Sequence, residues 1–105
     1  MLAKNKRIPR ELFKSVLESR LFFNSPNFSL RVGKGDSPRL AVSVSKKVSK
    51  KAVIRNRVRR RAYAAASTLI EQLPARYFLL IAKPGSTKVR GKELKEELAE
   101  LLKKG

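Results

Sequence analysis

Nine of the chain's 26 lysines and arginines fall within residues 45–61, SKKVSKKAVIRNRVRRR, and no carboxylate lies between Asp36 and Glu71. Side chains of this kind at this density are suited to holding phosphates. The arginine fork donates paired hydrogen bonds to phosphate oxygens, and Asn56 can donate to a sugar or a base edge. Lys46, Lys47, Lys50 and Lys51 crowd the expected start of a helix, where free N–H groups and the helix dipole favour an anion. A merely solvated basic face is the alternative, and nine like charges with no local acid argue against it.

Other chemistries lack their residues. The 105-residue chain has no cysteine and no histidine, which removes thiol nucleophiles, imidazole bases and soft-metal sites. Of its eight carboxylates, Glu93, Glu96, Glu97 and Glu100 sit together near the C-terminus, so a two-carboxylate active site is hard to assemble. A formal charge of +18 calls for a polyanion, and nucleic acid fits best because its phosphates are dense and release counterions. No stretch approaches the roughly 18 apolar residues of a membrane span, and MLAKNKRIPREL lacks the apolar segment of a signal peptide. A cytoplasmic protein with no membrane partner is expected.

The elements that must position the cations follow from hydrophobic period. The length suggests one domain over residues 1–105, with 1–8 as a mobile basic arm. From Pro9, Leu12, Phe13, Val16 and Leu17 mark one face of a helix ending near Ser19. Leu21, Phe22 and Phe23 suggest a strand, then a Ser25-Pro26-Asn27 turn and an alternating strand over 28–32. The turn-rich stretch at 33–38 predicts that a strand over 40–44 returns as its antiparallel hairpin partner. In the basic helix, Ile54, Val58, Ala62, Ala65, Ala66 and Leu69 recur at helical spacing. At about 100° per residue, Arg55 and Arg59 border the apolar arc, while Asn56, Arg57, Arg60 and Arg61 spread over the other side. Residues 77–82, YFLLIA, read as a central strand, and 92–103 as a helix burying Leu94, Leu98, Leu101 and Leu102 and showing its glutamates to solvent. Phe22, Phe23, Tyr77 and Phe78 are assigned to the core. The expected class is α+β: an αβββαβα two-layer sandwich, with a mixed four-stranded sheet and helices packed on one face.

The segment Val42-Ser43-Val44-Ser45-Lys46-Lys47, followed by Ala52-Val53-Ile54-Arg55-Asn56-Arg57-Val58-Arg59-Arg60, resembles the signature of the bacterial ribonuclease P protein subunit. In that signature a strand ends in Ser-Lys-Lys and Arg-Asn-Arg opens a basic helix. The size, the element order, the phenylalanine of the first helix and the late YFLLIAKPG strand fit the same family. The resemblance implies a subunit of a ribonucleoprotein endoribonuclease, in which a large catalytic RNA removes the 5′ leader from precursor tRNA. Catalysis then belongs to the RNA, Mg2+ is bound mainly by the RNA, and the protein carries no catalytic or metal-binding residue. The implied partners are the catalytic RNA and precursor tRNA, with no obligate protein partner. The RNA-binding candidates are Lys46, Lys47, Lys50, Lys51, Arg55, Asn56, Arg57, Arg59, Arg60 and Arg61. The family also implies a left-handed strand–helix–strand crossover and a cleft between the first helix and the sheet for the single-stranded leader. Phe13, Leu17 and Arg31 are the cleft candidates, although the spacing of Phe13 equally suits the core. Leu17 and Arg31 stand where the family often has aromatics, which implies weaker stacking and a phosphate contact for Arg31. Tyr63 replaces a common arginine. A ribosomal or other structural RNA-binding protein is the rival reading; a protein-only nuclease is disfavoured by the residue supply.

Overall fold

In the computed structural model, which describes residues 7–104, the apolar run near residue 80 becomes strand β4 (Arg76–Ala82), and the sheet is assembled around it. The other strands are β1 (Phe22–Asn24), β2 (Phe28–Lys34) and β3 (Arg39–Ser43), in the spatial order β1-β2-β4-β3. β2 is antiparallel to both β1 and β4, while β3 lies parallel to β4. The mixed four-stranded sheet and the α+β class are as expected, but the β2–β3 hairpin is not: β4 stands between the two strands. The turn chemistry of 33–38 reverses the chain without deciding which strand lies alongside. β4 takes the inner place because Phe78, Leu79 and Leu80 are all buried, so it needs cover on both faces. Its parallel pairing with β3 then demands a crossover, supplied by helix α2 (Ala52–Ser67).

Side-chain alternation divides the core in two. On one face Leu30, Val32, Leu40, Val42, Phe78 and Leu80 pack against α2 and against α3 (Gly91–Lys104), which buries Leu94, Leu98, Leu101 and Leu102. On the other face Ala41 and Leu79 meet Ile8 and Val16. Val16 belongs to α1 (Phe13–Leu17), entered through a 3-10 turn at Arg10–Leu12. The expectation of helices on one face therefore holds for α2 and α3 but not for α1. Apolar residues at both alternating sets of β4 are the reason: Leu79 also needs cover, and a short helix with the segment before it gives it.

That segment changes the expected arm. Residues 1–6 lie outside the described residues, but Arg7 bridges Leu40 in parallel, and buried Ile8 donates its N–H to the Leu40 carbonyl at 3.2 Å. The free edge of β3 is thereby partly occupied. Tyr63 occupies more of it, accepting at its hydroxyl the Val42 N–H at 3.2 Å, with the ring 8% exposed. Tyr63→Phe should cost about 1–2 kcal/mol, because a buried amide loses its partner. Urea unfolding of the two proteins checks this, and equal midpoints would contradict it.

α3 starts at Gly91, at φ 63°, in the left-handed region that glycine enters without a Cβ clash. One of its glutamates does not face solvent as predicted. Half-buried Glu97 accepts the Ser25 hydroxyl at 2.5 Å, the Asn27 N–H at 2.8 Å and the Asn27 side-chain amide at 2.7 Å. Lys83 Nζ adds a bond to the Ser25 carbonyl at 2.8 Å. The β1–β2 turn is thus tied to α3 and to the end of β4.

Candidate nucleic-acid interface

α2 is held by a narrow apolar stripe and displays the rest of its surface. Val58, Ala62 and Ala66 are buried, Arg55, Arg59 and Arg61 are half-buried, and Asn56, Arg57 and Arg60 are exposed. The wheel's two border residues are the ones with fixed geometry. Arg55 Nη1 donates to the Ser49 and Lys50 carbonyls at 2.9 and 3.0 Å, folding the preceding loop back onto the helix. Arg59 Nη1 donates to Asn56 Oδ1 at 2.8 Å. The side chains of Arg57, Arg60 and Arg61 make no hydrogen bond among the described residues, and none of the nine cations at 46–61 forms an ion pair there.

The loop before α2 presents Lys46, Lys47, Lys50 and Lys51, all exposed. Lys51 is the N-cap residue, no side chain caps the helix, and its first turn carries no acid. The leading N–H groups and the dipole therefore point into the same lysine-rich space. Beside it Val53, 67% exposed, joins Asn56, Arg59, Arg60 and Tyr63 around a concavity of about 410 Å³. The structure places the arginines on the one helix that their period of 3.6 predicts, with the four lysines on the loop that leads into it.

The α1 face of the sheet is different in kind. Phe13 is half-buried against the Val16 and Leu79 cluster, Leu17 is 46% exposed, and Arg31 is half-buried. Arg31 Nη1 donates to the Ser19 carbonyl at 2.9 Å, and its guanidinium lies 4.7 Å from the centroid of the Phe22 ring. Phe22, opposite Arg31 in the β1–β2 register, is 50% exposed rather than core. Sequence reasoning missed it, although a signal was present: adjacent Phe22 and Phe23 in one strand point to opposite faces, so only one can join the α2 side. Among the described residues no group of three or more His, Cys, Asp or Glu is placed to hold a metal, and no helix is long and apolar enough to cross a membrane.

Among the described residues, a mixed four-stranded sheet with three helices, one of them displaying unpaired arginines behind a lysine-rich loop, defines a small α+β protein shaped around a polycationic helix. The fold is shared with solved ribonuclease P proteins: one from Staphylococcus aureus, at TM-score 0.84 and 23% identity over 95% of this chain and 87% of that one, and one from Thermotoga maritima, at 0.83 and 21% over 94% and 96%. Among sequence relatives, the ribonuclease P protein component of a Nostoc species is 32% identical over 93% of this chain and 89% of its own, and that of a Cyanothece species 29% over 97% and 93%. The family profile for Ribonuclease P matches residues 2–105, and the chain belongs to that family. Its role is that of the protein component of the tRNA 5′-processing ribonucleoprotein endoribonuclease, in partnership with ribonuclease P RNA, which carries the catalysis.

Proposed function

We propose that the loop and α2 form the seat for ribonuclease P RNA, through Lys46, Lys47, Lys50, Lys51, Arg55, Asn56, Arg57, Arg59, Arg60 and Arg61. The observation that carries this reading is that these nine cations have no anionic partner within the described protein. Arg55 and Arg59 act as much on the protein as on RNA, holding the loop and Asn56 in place, while Arg57, Arg60 and Arg61 are available to phosphates. Neutralising phosphates lets RNA helices approach one another. Mg2+ is a hard ion that prefers oxygen ligands, and the phosphates of the RNA supply them, so the RNA holds most of it.

The substrate is precursor tRNA, with its single-stranded leader lying over the α1 face of the sheet. There Phe22 with the Arg31 guanidinium above it, and Leu17 and Phe13 from α1, offer a flat, partly apolar surface. Such a surface stacks on bases with little sequence preference, which suits a variable leader. No obligate protein partner is needed, and the working compartment is the cytoplasm. Binding of precursor and mature tRNA to the reconstituted holoenzyme tests the leader contact. The precursor should bind more tightly, and Phe22→Ala should remove about tenfold of that preference, on the scale of base–aromatic stacking. Equal binding of the two tRNAs would overturn it.

A further inference from the structure

β2 is longer than the strand beside it. It runs seven residues along β4 but meets β1 only at Ser29, Leu30 and Arg31. Beyond them residues 19–21 cross over: Val32 N–H donates to the Leu21 carbonyl at 3.0 Å, and the Ser19 hydroxyl donates to the Val32 carbonyl. Alternation turns the Lys34 backbone to that same side, where no strand follows among the described residues. A groove of about 590 Å³ opens there, bounded by residues 19–21, the end of β2 and the start of β4. Leu21, 40% exposed, gives it an apolar wall. Arg20 and Lys34 stand exposed around it, and no carboxylate among the described residues lines it. A smaller hollow, sharing Ser19 and Lys34, continues it along α1 past Ser15.

We propose that this groove binds the 5′-distal part of the single-stranded leader of precursor tRNA, beyond the nucleotides that lie over Phe22 and Arg31. The inference rests on the leader reading given above. Charge and continuity select this occupant. The rim is cationic and the wall apolar, which suits phosphates on one side and ribose or base faces on the other. Ser19 joins the two places, since it borders the groove while its carbonyl holds Arg31, and Leu21 is followed directly by Phe22. The α2 cations lie elsewhere: α2 packs on the opposite face of the sheet from α1, and in the sheet β4 separates β2 from β3. A strand leaving the α1 face therefore reaches this groove sooner than RNA seated on α2.

The test uses holoenzyme reconstituted with wild-type protein or with the Arg20→Ala, Lys34→Ala double variant, and precursors whose leaders range from about 4 to about 16 nucleotides. With wild-type protein, affinity should rise again once the leader outgrows the α1 face. The double variant should lose that rise, about tenfold at 0.15 M salt, and its salt slope for the longest leader should fall by about 1.4, at about 0.7 per phosphate on a single strand. Its binding of the shortest leader should match wild type. The proposal is overturned if the double variant follows wild type at every length, or if it loses the same factor at every length. Phe22→Ala reports on the α1 face separately. It should weaken even the shortest leader, and its failure to do so would sink the leader reading while the length dependence still decides the groove.

Discussion

Replacing Arg57, Arg60 and Arg61 together with alanine should weaken binding to ribonuclease P RNA about a hundredfold at 0.15 M salt and flatten its log–log salt dependence by nearly three units. On duplex RNA each neutralised phosphate contributes a slope of about 0.9, taking the duplex value for DNA, which at 0.15 M salt is about fivefold in affinity. The guanidinium groups of these three arginines have no hydrogen bond within the described protein, so their removal leaves the fold alone. Arg55 is the contrasting case: Arg55→Ala also frees the Ser49 and Lys50 carbonyls, so its effect mixes lost charge with a loosened loop. Filter binding or anisotropy across a salt series, with unfolding midpoints recorded alongside, separates the two. A triple variant with an unchanged slope would move the RNA seat away from α2.

Glu97→Ala should destabilise the protein by about 2–3 kcal/mol, whereas Glu96→Ala, one residue earlier and exposed, should stay within about 0.5 kcal/mol. Both changes remove one negative charge from α3, so net charge cannot explain a difference. Glu97 accepts three hydrogen bonds from the β1–β2 turn, and each bond to a charged group contributes about 1.5–3 kcal/mol, reduced here because the site is only half-buried. The turn sets where β1 lies, and β1 carries Phe22, so the loss should reach function as well as stability. Denaturant unfolding of the pair decides it, and equal midpoints would reduce the Glu97 network to a surface contact.

The parts of the fold that were legible in the sequence are those governed by local period. α3 buries the four leucines its spacing marked, and α2 turns inward and outward as its wheel requires. The β2–β3 hairpin failed because strand neighbours are a global choice. The correction was nonetheless implied by the chain itself, since a run apolar on both faces belongs inside a sheet and needs a neighbour on each side. The single helical layer failed for the same reason, seen from the other face, where Leu79 and Ala41 required α1. Among site residues, the cations of one helix could be grouped by spacing alone. Phe22 could not, because its pairing with Arg31 depends on the register between two strands, and that register is fixed partly by the distant Glu97.

The most direct measurement of the central claim is the rate at which ribonuclease P RNA cleaves precursor tRNA at low magnesium, with and without this protein. The α2 cations should replace part of the metal's screening, so cleavage should be faster when the protein is present, while the protein alone cleaves nothing. An RNA-catalysed rate that the protein leaves unchanged across the magnesium series would contradict the account.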